Sequence, residues 1–241
     1  MEGSLRAFAE LVRLPEPELD LGHAALAIAE IEHPGLKAEP SLARLDALAS
    51  RSGAAREPAG GARLARLSAF LFEGEGFRGN AEDYYNPRNS CLNDVLDRRL
   101  GIPITLSVLM MEIGRRVDLP IAGIGLPGHF VVGAEVGGAM AVVDPFGGGR
   151  ALTREDADAL VMRAVGRPVH LTDAHFAPAS KRDIITRMLL NLKGIYARRE
   201  DWAKALAVLD RLLIVDPGNA THAGERGTVI ARYRQRLAVL N

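Results

Sequence analysis

Residues typical of β-strands are concentrated in the middle of this chain, and this limits its possible folds more than any other feature. Three such runs, each bounded by glycine or proline, occupy residues 121–126, 129–134 and 139–144. On both sides of them, apolar residues recur at helical spacing without strand-like alternation. Helices before and after a single cluster of strands predict an α+β fold rather than a parallel α/β sheet.

The pattern divides the 241 residues into three regions. Residues 1–75 predict an N-terminal helical bundle, and residues 76–179 a core that contains the strands. Residues 180–241 return to helical spacing. We therefore expect a mixed core with helical segments at both ends.

Individual helices follow from start and stop signals. In the first region we expect helices over 21–31, from Pro40 onwards and over 63–72, with a loop of small residues at 52–61. In the core, two helical stretches between residues 90 and 117 are separated by a Gly-Ile-Pro segment.

The last region resembles a tetratricopeptide repeat. Residues 186–219 place apolar, aromatic, small and terminating residues where that 34-residue helical hairpin needs them. A second repeat beginning at Gly227 would be incomplete. Because one and a half repeats do not form an independent solenoid, we expect these helices to pack on the core.

Charge and composition exclude several classes of function. Thirty basic residues balance thirty acidic ones, so the chain has no net positive field for nucleic acid or an anionic membrane surface. We find no secretion signal and no apolar run long enough to span a bilayer, which predicts a cytoplasmic protein. The single cysteine excludes an internal disulfide and a thiolate-rich zinc site.

That cysteine, Cys91, is the first candidate for chemistry. It follows Ser90, a residue suited to the N-cap of a helix, so the sulfur is expected near free backbone N–H groups at the positive end of the helix. Such a position favours the nucleophilic thiolate form. The alternative is that Cys91 is a small buried apolar residue.

His129 and Asp144 are the second candidate. His129 begins one predicted strand and Asp144 ends the next. A symmetric hairpin with a four-residue turn over 135–138 would place the two residues opposite each other, with Cβ atoms about 5 Å apart. A turn shorter by two residues would keep both on the same face of the sheet. The alternative is that they are ordinary polar residues at strand ends.

Other polar motifs give weaker signals. The histidines at positions 23, 33, 170, 175 and 222 show no metal-ligand spacing, and the glycines at 147–149 lack the lysine of a phosphate-binding loop. We therefore predict no metal and no cofactor.

Four segments resemble one protein family. In order, they are GFRGN, YYNPRNSCLNDVLDRRLGIPITLSVLMMEIGRR, PGHFVVG and VDPFGGG, and together they are similar to the bacterial SirB-one type transglutaminase-like proteins. The resemblance covers nearly the whole chain and implies a transglutaminase-like (papain-like) core, in which a cysteine on a helix faces a histidine and an aspartate on adjacent strands. It implies that Cys91 is the nucleophile, His129 the base and Asp144 the residue that orients the base.

Two functional hypotheses follow. In the first, the three residues catalyse acyl transfer or hydrolysis at a carboxamide or peptide bond. In the second, the same fold is a non-catalytic scaffold that binds a protein or peptide partner. Both hypotheses are compatible with these residues.

Overall fold

The computed structural model describes residues 2–240, which form an α+β fold. Helices and strands are numbered in chain order. The helices are α1 (Glu2–Arg13), α2 (Leu21–Ala29), α3 (Ala38–Ser52), α4 (Gly61–Ser68), α5 (Leu92–Arg98), α6 (Pro103–Arg116), α7 (Arg154–Val165), α8 (Lys181–Arg198), α9 (Trp202–Val215) and α10 (Ala220–Leu240). The strands are β1 (Arg78–Gly79), β2 (Leu100–Gly101), β3 (Ala122–Ile124), β4 (Val131–Val136), β5 (Ala139–Asp144) and β6 (Arg150–Leu152).

Helices precede the sheet, as expected, although their boundaries differ from the prediction. Helix α2 begins after Asp20, whose side chain accepts a hydrogen bond from the backbone N–H of His23. The segment predicted as one helix over 63–72 changes its geometry after Ser68, where Ala69–Gly74 forms a π-helical turn. Apolar spacing alone does not distinguish these two helix types.

The main sheet has four antiparallel strands in the order β3-β4-β5-β6. The predicted pairing between β4 and β5 is wrong by two residues, because Val136 pairs with Ala139 and leaves only Gly137 and Gly138 in the turn. Both glycines have positive φ, at 60° and 83°, which suits a tight two-residue hairpin turn. The shift is even, so the predicted facing of side chains is retained.

Each face of this sheet is covered by apolar side chains. Val132 and Val143 belong to the large core that includes α6. Val131 and Val142 belong to a smaller cluster, which includes Ala157 of α7. Burial on both faces fixes the strand ends that carry His129 and Asp144.

The C-terminal helices α8, α9 and α10 follow one another with short connections. Helix α8 is anchored in the large core by Ile184, Leu189 and Leu192, which are all fully buried. These buried residues join α8 to the core. The tetratricopeptide-like character of the segment and the three domain boundaries stay predictions.

A search of residues 2–240 for membrane-spanning helices finds no helix with the necessary length and apolar character.

Candidate functional site

Cys91 lies between two helical segments. A 3₁₀ turn, Pro87–Ser90, ends at this residue, and Cys91 itself is the N-cap of α5, with extended backbone angles of φ −101° and ψ 118°. Its carbonyl accepts the backbone N–H of Val95, which starts the helix. The predicted cap, Ser90, is therefore one residue too early.

The surroundings of Cys91 oppose the thiolate. Its side chain is completely buried, and Sγ lies 3.5 Å from the carbonyl oxygen of Pro87, to which it donates. Burial first, and then the negative charges of Asp94 and Glu32, raise the pKa of the Cys91 thiol far above its usual range. The expectation that the helix start would favour a thiolate is wrong, because burial outweighs the helix dipole.

A buried carboxylate accompanies this thiol. Asp94 lies in the first turn of α5. Its Oδ1 accepts a hydrogen bond from Arg88 Nε at 2.6 Å, and its Oδ2 is hydrogen-bonded to His33 Nε2 at 2.5 Å. One imidazole nitrogen of His33, the sulfur of Cys91 and one carboxylate oxygen of Asp94 all lie within 4.8 Å of one another. We call these three residues the His33 cluster.

His129 and Asp144 form a separate buried pair. His129 Nε2 lies 2.9 Å from Asp144 Oδ1, and both side chains are less than a tenth exposed. The backbone N–H of Phe146 donates to the same oxygen at 3.1 Å. A side chain at Gly147 would collide with Asp144 Oδ2 at 2.6 Å, so glycine at this position makes room for the carboxylate.

The histidine of this pair is held from several sides. Its ring packs edge-on against Phe146, with ring centres 5.9 Å apart, and Phe146 packs in the same way against Tyr84. Arg187 of α8 donates to the carbonyl oxygens of His129 at 2.6 Å and Leu126 at 2.9 Å. With Nε2 occupied by Asp144, Nδ1 is the nitrogen available to exchange a proton with another group.

The structure thus pairs two of the three predicted site residues. Their side chains are hydrogen-bonded to each other, although His129 lies two residues before β4. Among residues 2–240, the hydrogen bond of Cys91 Sγ goes to the carbonyl oxygen of Pro87 and not to His129. The catalytic roles assigned by resemblance stay predictions.

Sequence reasoning missed His33 and Asp94. Asp94 follows Cys91 by three residues and lies in the first turn of the same helix, so its proximity could have been read from helical spacing. His33 lies 61 residues before Asp94 along the chain. No local spacing signal connects it to the other two.

A cavity of about 580 Å³ lies elsewhere, beside the edge strand β3. It extends between β3, β4, β5 and the C-terminal half of α6. Most of its surface is apolar, and its lining includes Met111, Ile121, Gly133 and Met140, with Lys181 among the charged residues. Met140 is 45% exposed. An accessible apolar cavity of this size can accommodate one or two side chains of a partner.

The class of protein follows from the fold and from a family profile. The pattern of the transglutaminase-like superfamily matches residues 39–190, which span β1 to β6 and include Cys91, His129 and Asp144 but not His33. The chain therefore belongs to the transglutaminase-like superfamily. No solved structure gives a match to this chain.

Curated relatives define the group more closely. A protein named UPF0162 protein from Xylella fastidiosa strain Temecula1 is 36% identical over 242 residues, which is 96% of this chain and 84% of the relative. UPF0162 protein PA3419 from Pseudomonas aeruginosa is 32% identical, and the alignment spans 89% of this chain and 78% of the relative. Human F-box only protein 21 is 31% identical over 144 residues, 56% of this chain and 22% of the human protein.

Proposed function

We propose that this protein is a non-catalytic transglutaminase-like domain that binds a protein or peptide partner. The observation that carries this proposal is the environment of Cys91, whose thiol is completely buried, has a raised pKa and belongs to the His33 cluster. A cysteine nucleophile must be ionised and must reach a substrate carbonyl. Cys91 in this conformation meets neither requirement.

The apolar cavity beside β3 is the proposed binding surface. Its lining is mainly apolar, and the exposed Met140 borders it. Methionine is flexible and polarisable, so it adapts to different apolar partners. Since Arg115, Lys181, Asp118 and Glu135 also line the cavity, a suitable ligand would insert an apolar side chain and place polar groups at the margin.

The distribution of relatives is compatible with a binding domain. The segment shared with human F-box only protein 21 makes up 22% of that protein, so related sequence occurs there as one part of a longer chain. A domain that recurs within larger proteins is well suited to recruiting partners.

Cysteine-dependent acyl transfer or hydrolysis is the second candidate. It is favoured by the hydrogen-bonded His129–Asp144 pair, because a carboxylate that holds an imidazole is what a nucleophilic cysteine requires. In this mechanism Cys91 would attack a carboxamide or peptide carbonyl while His129 protonated the departing amine. The thioester would then react with water or a second amine. The start of α5 would have to open to expose the sulfur.

Three finer assignments belong to the same proposal. The segments GFRGN and PGHFVVG support membership in the SirB-one type group. The repeat-like spacing over 186–219 supports a tetratricopeptide-like C-terminal segment. The single cysteine, which can form no internal disulfide, is compatible with a cytoplasmic location.

Turnover assays distinguish the two candidates. The chain is incubated with a glutamine-containing protein and a fluorescent primary amine, and separately with a chromogenic peptide amide. We expect no turnover above that of a Cys91→Ala variant. Turnover that Cys91→Ala and His129→Ala both abolish would refute the non-catalytic proposal and support acyl transfer.

Binding is tested with peptides selected from a random display library against the whole chain. Met140→Glu places a charge at the cavity and should weaken the selected peptides by about tenfold or more, since burying an unpaired charge is strongly unfavourable. Met162→Glu is the matched control, because Met162 on α7 is 46% exposed and Met140 is 45% exposed. Equal binding by the two variants would exclude the cavity as the peptide site.

A further inference from the structure

The His33 cluster combines three different metal-ligating side chains. His33 supplies an imidazole nitrogen, Cys91 a sulfur and Asp94 a carboxylate oxygen, and these atoms lie within 4.8 Å of one another. Imidazole, thiolate and carboxylate are the ligand types that Zn²⁺ takes in proteins. We propose that His33, Cys91 and Asp94 bind one Zn²⁺ ion.

The known distance within the cluster requires an adjustment of about 1 Å. Zinc–ligand bonds of about 2.0 to 2.3 Å in a tetrahedron place the ligand atoms roughly 3.3 to 3.7 Å apart. His33 Nε2 and Asp94 Oδ2 are now hydrogen-bonded at 2.5 Å, so they would separate by about 1 Å to admit the ion between them. His33 is well placed to make this movement, because its side chain is a third exposed while those of the other two ligands are buried.

Arg88 orients the carboxylate for this role. Its Nε donates to Asp94 Oδ1 at 2.6 Å, which leaves Oδ2 directed towards His33. A hydrogen bond to the second oxygen of a ligating carboxylate is the usual outer support of a metal site. Arg88 is half exposed, so this side of the cluster also gives the ion a path from solvent.

The charges of the ligand atoms balance that of the ion, and the further positive charge of Arg88 is half exposed to solvent. Binding replaces the S–H bond of Cys91 with an S–Zn bond and releases the proton to solvent. Thiolate and carboxylate then supply two negative charges against the two positive charges of the ion, which removes the penalty for a buried thiolate. Three protein ligands leave the fourth tetrahedral position to a water molecule on the exposed side of His33. This arrangement does not depend on the proposed binding function or on the His129–Asp144 pair.

Cobalt(II) is the spectroscopic probe for the site. Tag-free, chelator-treated protein is titrated with Co²⁺, and we expect one ion per chain with a thiolate-to-cobalt charge-transfer band in the near ultraviolet. One equivalent of Zn²⁺ should remove the band. Cys91→Ser should abolish the band, and His33→Gln should weaken Co²⁺ binding about tenfold or more. Arg88→Gln should weaken it by about 10 to 100-fold.

His23→Gln is the matched control. His23 also lies beside an aspartate, with Nδ1 3.2 Å from Asp20 Oδ1, but without a cysteine, so this variant should bind Co²⁺ as the wild type does. Thermal midpoints are measured with chelator and with Zn²⁺. At the same Zn²⁺ concentration, the midpoint of the wild type and of His23→Gln should rise by more than that of His33→Gln. Absence of the band in the wild type, or affinity unchanged in His33→Gln, would overturn the proposal.

Discussion

Alkylation of Cys91 by iodoacetamide measures directly how the structure controls its thiol. The chain has one cysteine, so the reaction reports on a single site. Because the side chain is completely buried, the reagent reaches it only in molecules that have opened around the start of α5. The rate in the native protein is then the rate of the exposed thiol multiplied by the open fraction.

The structure sets the size of this protection. Opening requires α5 to separate from α2 and disrupts the hydrogen bonds of Asp94 to His33 and Arg88. If this opening costs about 4 kcal/mol, alkylation is slowed roughly a thousandfold, because each 1.4 kcal/mol is a factor of ten. The thiol that reacts is exposed, with an ordinary pKa of about 8.5, so the rate should rise about tenfold per pH unit between pH 6 and pH 8.

The assay compares chelator-treated native protein with the same protein in denaturant, by mass spectrometry at several pH values. His129→Ala should leave the native rate unchanged, because the hydrogen bond of Cys91 Sγ goes to Pro87 and that of the His129 ring goes to Asp144. His33→Ala should raise the rate, because it removes a side chain that covers the sulfur and binds Asp94. Rapid alkylation of the native protein at pH 6 that His129→Ala slows would refute this reasoning and restore Cys91 as an activated nucleophile.

Two stability predictions test the surroundings of this site. The raised pKa keeps the Cys91 thiol protonated in the native protein, while the thiol of the unfolded chain ionises. Above about pH 8.5 this group should therefore lower the free energy of unfolding by up to about 1.4 kcal/mol per pH unit. Urea titrations of Cys91→Ala should lose that slope, and a pH dependence identical to that of the wild type would contradict the raised pKa. Leu189→Ala should lower the free energy of unfolding by about 2 to 5 kcal/mol, because Leu189 is fully buried. Leu190→Ala should lower it by less than about 1 kcal/mol, because its side chain is 38% exposed. Equal losses of stability would contradict the packing of α8 in the core.

The sheet shows what local patterns can predict. The strand over 139–144 was predicted at the observed residues, since β-favouring residues bounded by glycine and proline define it. The preceding strand was predicted over 129–134 but lies at 131–136, because Gly137 and Gly138 both have positive φ and form a two-residue turn. Strand β6 was not predicted, since its three residues give no periodic signal.

The polar sites show where local patterns are insufficient. The β4–β5 hairpin brings Asp144, at the end of β5, to His129, two residues before β4, and hairpin geometry could predict their proximity because few residues separate them. His33 meets Asp94 only because α2 packs against α5, and that contact depends on the tertiary arrangement of several helices. Because no fixed spacing in the sequence links His33 to Asp94, the sequence did not indicate His33 as a metal ligand.

The same distinction explains why the predicted ionisation of Cys91 was wrong. A helix start stabilises a negative charge by about 0.3 to 1 kcal/mol at the surface, and this local effect can be read from capping residues. Removing an ion from water costs several kcal/mol, and that effect depends on burial, which the capping pattern does not contain. Helix α5 has seven residues and its first turn already carries the carboxylate of Asp94, which repels a thiolate. A cation placed against the sulfur would reverse this balance in the closed structure, and His33 and Asp94 are positioned to bind one together with Cys91.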